Sequence, residues 1–162
     1  MSSPGGIYSI DSSSLMDWQA RFYPTDVFSG LVARVDELTA ARRLFAPALV
    51  REEIGKVGTA DLVLWMDARK EIVVGTGELL RDAQAIQNQF TGLRDPKAEF
   101  EEADAYVIAL ARMRDGIVVT QETAAADKRN PKRTHFIPDV CRELGIPCFG
   151  FLGLMRREGW RF

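Results

Sequence analysis

The sequence predicts an α/β sandwich around a mostly parallel sheet, and two observations carry that prediction. Short β-prone apolar runs alternate with segments of helical spacing along the whole chain. The 162 residues are 46% hydrophobic and 27% charged, which suits one domain over 1–162 with a single core. A domain of this size buries roughly 70% of the surface its unfolded chain exposes, so neither disulfides nor a structural metal is needed to hold it.

Residues 7–10 read as a first strand ending at Asp11, and Ser12, Ser13 and Ser14 open a helix after it. Tyr23-Pro24 breaks that helix. A second helix is predicted over 27–43, where Phe28, Leu31, Val35 and Leu38 fall at helical spacing. Residues 44–46 form a strand stopped by Pro47, followed by a helix with Leu49, Val50 and Ile54 on one face. Residues 60–69 are helical in composition and 72–74 are β-prone. Gly75-Thr76-Gly77 reads as an ordinary turn, because it lacks the third glycine of a dinucleotide loop and the Lys-Ser/Thr of a phosphate loop. The next helix carries Leu79, Ala83, Ile86 and Phe90, and Arg94-Asp95-Pro96 ends that unit. Residues 101–114 place Ala103, Val107, Leu110 and Ala111 on one stripe, and 116–120 read as a buried strand. A short helix over 137–144, a last strand over 146–151 and a closing helix over 152–158 complete the alternation.

Lys plus Arg is 21 against 23 for Asp plus Glu, a net charge of −2, so bulk charge does not advertise nucleic acid. An anionic partner must then be gripped by a local basic patch or through bound cations. The two cysteines, Cys141 and Cys148, with the single His135, exclude a disulfide scaffold and a Cys/His zinc site. They read as buried small hydrophobes, and His135 as a loop residue without an obvious partner. No apolar run approaches the roughly 18 residues of a membrane span, and the first residues lack the pattern of a secretory signal. A cytoplasmic protein without membrane attachment is expected.

The acids are more informative, because ligands of open parallel sheets collect beyond the carboxyl ends of the strands. Asp11 stands at such a tip, where taken alone it reads as the N-cap of the next helix. Glu53 taken alone is a solvated or salt-bridged residue, and Asp104 a helix-head acid stabilised by the dipole. Glu122, two residues past the strand ending at Thr120, again falls where a crevice forms. Four such placements at one end of one sheet point to a shared site.

Ser9-Ile10-Asp11-Ser12-Ser13, Val50-Arg51-Glu52-Glu53-Ile54, the stretch from Ala103-Asp104 to Ala111, and Ile117-Val118-Val119-Thr120-Gln121-Glu122 resemble, in that order, the four acidic motifs of PIN-domain ribonucleases. Tyr23-Pro24, Ile137-Pro138-Asp139-Val140-Cys141 and Glu158-Gly159-Trp160-Arg161-Phe162 resemble more narrowly a PIN-like family carrying the domain-of-unknown-function label DUF4411. The resemblance spans essentially the whole chain. It implies a three-layer α/β/α domain and a carboxylate cluster binding Mg²⁺ or Mn²⁺ for cleavage of RNA, in the toxin half of a toxin–antitoxin pair. A cognate antitoxin protein and a homodimer are the protein partners it implies. Asp11, Glu53 and Asp104 match the first three acids. PIN nucleases place Asp or Asn a residue or two past the strand-end threonine, whereas Gln121-Glu122 stands here, which leaves Glu122, Asp127 or Asp139 as the fourth. Ser13 and Thr120 match the small hydroxyl residues near the first and fourth acids and are expected on the RNA side of the site.

Residue types agree with that chemistry. Phosphodiester hydrolysis needs a nucleophile at neutral pH and a counter-charge for the departing oxygen, which hard divalent cations held by oxygens supply. Carboxylates crowded without a cation raise one another's pKa. Lys128, Arg129, Lys132 and Arg133 form the densest basic stretch, in a polar loop just after the fourth acidic motif. They are expected to hold the phosphate backbone, and the loop, having no apolar stripe, to be mobile without a ligand. Trp160 and Phe162 are candidate stacking residues, with packing the better fit for Trp160. The competing classes are a PIN-like module that binds RNA or protein with little catalysis, and a phosphatase or DNA nuclease using the same cation chemistry.

Overall fold

The computed structural model describes residues 5–98 and 101–162. Its strands β1 (Tyr8–Ile10), β2 (Leu44–Pro47), β3 (Val73–Val74), β4 (Ile117–Val119) and β5 (Cys148–Phe149) form one parallel sheet in the order β3-β2-β1-β4-β5. Between and after them run α1 (Ser12–Met16), α2 (Ser29–Ala40), α3 (Ala48–Val57), α4 (Ala60–Asp67), α5 (Thr76–Gln89), α6 (Asp104–Met113), α7 (Ile137–Leu144) and α8 (Phe151–Glu158). The architecture is the expected three-layer α/β/α sandwich, and every strand pair is parallel.

Strand residues alternate between faces, and β1 shows which helices cover which face. Ser9 Oγ donates to the Val107 carbonyl of α6 at 2.7 Å, while the hydroxyl of Tyr8 donates to Glu158 of α8. Helix α6 is therefore on one face and α8 on the other. Residues 105 to 111 of α6 are all buried, and Val107, Ile108 and Leu110 each contribute about 1.5–3 kcal/mol by leaving water. On the α8 face Trp18 meets Trp65 edge to face at 4.9 Å and Phe151 at 6.3 Å. Arg43, at the head of β2, grips Glu158 with both terminal nitrogens, at 3.0 and 2.6 Å.

Several boundaries differ from expectation for local reasons. Helix α2 stops at Ala40 because Arg42 turns back with a φ of 57°. Thr76 and Gly77 belong to α5 instead of a turn before it. Helix α6 starts at Asp104, since Glu101 and Glu102 are drawn to Tyr106 and to the Asp95 backbone. Strand β5 is only two residues long, because the Gln121 side chain accepts from Phe151 N at 2.8 Å and starts α8 there. Between α6 and β4 the chain turns through Asp115 (φ 51°) and Gly116, where a Cβ would lie 2.7 Å from the Ile7 carbonyl.

The strand order positions the site. From β1 the chain proceeds outward to β2 and β3, then returns to the other side of β1 as β4 and continues to β5. The carboxyl ends of β1 and β4 thus flank the switch point, where an open α/β sheet leaves a crevice. Among the described residues, no helix is long and apolar enough to cross a membrane.

Candidate functional site

Asp11 and Thr120 are the residues that leave β1 and β4 at this switch point. Asp11 N donates to the Val119 carbonyl at 2.9 Å, which carries the ladder one step past the strand. The Asp11 side chain is 3% exposed as part of a buried residue and accepts from Ser12 N (2.7 Å), Ser13 Oγ (2.9 Å) and Thr120 Oγ1 (2.8 Å). It is the N-cap of α1 and a crevice acid at once. The two hydroxyls in turn accept backbone N–H groups, Ser13 Oγ from Gln121 at 3.1 Å and Thr120 Oγ1 from Glu122 at 3.1 Å. Ser13 and Thr120 therefore orient Asp11 and fix the start of the loop after β4.

Ser12, which the motif comparison passes over, links the next acid: its Oγ donates to Glu53 Oε1 at 2.9 Å and lies 3.3 Å from Asp11 Oδ1. Glu53 is half-buried, between α3 and the head of α6, and is neither solvated nor salt-bridged as its sequence position alone suggests. Asp104, in the first turn of α6, meets Arg133 Nη1 at 3.0 Å through Oδ2. The same guanidinium stands 3.7 Å from Glu102 Oε2 and 3.7 Å from Glu122 Oε1. Glu122 Oε1 is buried and accepts no hydrogen bond. A space of about 10 Å³, the size of one water, opens against Asp104 and Glu102, and a cavity of about 260 Å³ is lined by Glu122, Thr120, Asp127 and Cys148.

The structure thus brings Asp11, Glu53, Asp104 and Glu122 to one crevice. Asp139 is not used there: its Oδ2 accepts from Phe136 N and Ala125 N, both at 2.9 Å, capping α7 and pinning the loop. Asp127 is exposed in a single turn of 3₁₀-helix. Among the described residues, no three His, Cys, Asp or Glu side chains stand as a formed ion cage, and a guanidinium lies against the acids. The basic stretch divides accordingly. Arg133 turns inward, Lys128 lies over the Phe136 ring at 4.2 Å, and Arg129 and Lys132 are exposed. His135 does have a partner, Glu143, 2.8 Å from its Nε2. Trp160 is half-buried against the core, and Phe162 is 70% exposed at an apolar groove lined by none of the acids. Both cysteines are free, Cys141 buried as expected and Cys148 only half-buried at the edge of the sheet; a hydrogen bond from the Cys141 thiol lowers the Cys148 pKa.

The charge balance of the crevice is visible in its pKa shifts. Burial, then the Glu122 and Asp11 carboxylates, push Asp104 well above the usual range despite Arg133. Burial and Asp11 raise Glu122 from 4.5 to about 7. Glu53 is raised by burial and opposed by its Ser12 hydrogen bond. Asp104 and Glu122 therefore bind protons more tightly folded than unfolded, so their contribution to stability is fully present at low pH and is lost as pH rises. For Glu122 the window runs from 4.5 to about 7. In chelator, the melting temperature is expected to fall across this window, by a stability change on the order of 2 kcal/mol. A melting temperature flat in pH contradicts this balance.

Fold and crevice together define a doubly wound α/β protein with an acidic pocket at its switch point. The chain belongs to the family described as a domain of unknown function (DUF4411), whose family model matches residues 8–162, from the first residue of β1 onward. That span contains every crevice acid. No curated protein matches the chain.

Proposed function

We propose that this protein is a PIN-like, metal-dependent endoribonuclease that hydrolyses RNA phosphodiesters and acts as the toxin of a toxin–antitoxin pair. The observation that carries the nuclease reading is the meeting of Asp11, Glu53, Asp104 and Glu122 at the switch point, with a buried Glu122 oxygen lacking a donor. All these donors are carboxylate oxygens, the set that suits Mg²⁺ or Mn²⁺. Burial, and after it the neighbouring carboxylates, raises Asp104 and Glu122, a cost that a divalent cation would offset. Asp11, Asp104 and Glu122 would hold it, with Glu53 tied in through Ser12. When bound, the cation supplies a water ionised near neutral pH and a counter-charge for the leaving oxygen.

The remaining work falls to the chain's own residues. Ser13 and Thr120 hold the Asp11 carboxylate in one orientation. Glu122, raised to about 7 by burial and the Asp11 charge, is the acid whose ionisation a bound cation would favour. Exposed Arg129 and Lys132 offer charge to a phosphate backbone. The toxin role rests on the likeness of the acidic motifs to PIN-domain toxins. RNA incubated with Mg²⁺ or Mn²⁺ and with EDTA tests the reading. Cleavage that requires the cation and leaves no 2′,3′-cyclic phosphate supports it, because an added water, not the ribose hydroxyl, attacks. Cleavage unaffected by EDTA contradicts it. Arg133, already neutralising part of the cluster, favours the second reading of a binding module, for which RNA is retained uncut under every condition.

A further inference from the structure

We infer that Arg133 is the resident counter-ion of the acid cluster, and that a divalent cation competes with it for Asp104 and Glu122 and drives it out. The inference rests on the metal-dependent reading above and adds a regulated step to it. Arg133 is 16% exposed at its side chain, which is unusual for the end of a basic run in a polar loop. Its guanidinium is held on three sides. Nη1 donates to Asp104 at 3.0 Å and to the Leu93 carbonyl at 2.8 Å, and the Phe136 ring lies 4.4 Å beneath. The chain after Arg133 passes close to Gly92, where a Cβ would collide with Thr134, and His135 N donates to the Gly92 carbonyl.

As a counter-ion Arg133 is incomplete. One positive charge faces the carboxylates of Asp104, Glu102 and Glu122, only the Asp104 contact is a hydrogen bond, and Glu122 Oε1 stays without a donor. A compact divalent ion carries twice the charge and binds carboxylate oxygens directly, so it neutralises the cluster better than the fork does. Once displaced, Arg133 lies beside exposed Lys132 and Arg129, and its charge becomes available to a phosphate at the mouth of the crevice. Before loading, the same contact ties the segment after Glu122 across the acids.

Two measurements test this together. Mn²⁺ binding by calorimetry, on the full chain and on Arg133→Met, is expected to be tighter in the variant by about tenfold, since the cation no longer displaces a partner. Trypsin then reads displacement in the unaltered protein, because cutting the Arg133–Thr134 bond requires the Arg133 side chain to enter the protease. That cut, mapped by mass spectrometry, is expected to be several times faster in Mn²⁺ than in EDTA, whereas cuts after exposed Arg129 serve as the internal reference. Equal Mn²⁺ affinities in the two proteins, or an Arg133 cut indifferent to Mn²⁺, overturn the inference while leaving the metal reading intact. Failure of both proteins to bind Mn²⁺ overturns both. If Arg133→Met does not fold, the tryptic result on the unaltered chain decides.

Discussion

Asp104→Asn is expected to reduce cation-dependent RNA cleavage by about a thousandfold or more, the rate equivalent of roughly 4 kcal/mol. Asparagine keeps the shape and an oxygen for Arg133 Nη1 but removes the charge a cation needs at the head of α6. Ala103 and Ala105 flank the position, so no bulky side chain substitutes for it. Stability should change little. Loss of the ion pair with Arg133 is offset by relief from the Glu122 and Asp11 charges that raise Asp104. Thermal melting in chelator within a few degrees of the parent, with cleavage gone, is the expected pair of results. Cleavage at the parent rate removes Asp104 from the site.

Asp11→Ala is expected to damage both fold and activity. The carboxylate caps α1 and receives Ser13 and Thr120, so its loss removes an N-cap and leaves the buried Thr120 hydroxyl without its acceptor. Together these cost about 2–4 kcal/mol, or a fall of roughly 5–12 °C in melting temperature. Asp11→Asn retains an acceptor and should recover most of that stability, yet no cleavage, because the charge is still absent. The divergence of the two variants separates the capping role from the site role. A stable, active alanine variant refutes both.

How far the site is legible in the sequence depends on whether its cause is local. Asp11 can be found because a carboxylate after an apolar strand and before a serine run has a local signature, and the same run signals Ser12, although its bond to Glu53 spans the fold. Asp139 also has a local signal, standing three residues after Phe136 at the start of an apolar helix, where a side chain returns to cap the backbone. Reading that cap removes it from the acids. The basic loop misleads for the opposite reason. Lys128, Arg129, Lys132 and Arg133 look alike in sequence, and only long-range contacts with Leu93 and Asp104 single out Arg133. Glu102 and His135 are hidden in the same way, since Asp95, Arg133 and Glu143 reach them through folding. The short edge strand β5 is misjudged because a glutamine thirty residues earlier captures Phe151 N. Alternation of strands and helices, by contrast, is a period in the chain itself, and the layer order follows from it.

That the acids at the carboxyl ends of β1 and β4 hold a divalent cation is tested most directly by crystals grown in Mn²⁺, with diffraction recorded at the manganese absorption edge. An anomalous peak about 2.2 Å from carboxylate oxygens of Asp104 and of Asp11 or Glu122, with the Arg133 guanidinium withdrawn, is the predicted result. Maps at full Mn²⁺ occupancy of other sites, showing no peak in the crevice and Arg133 still bonded to Asp104, would contradict it.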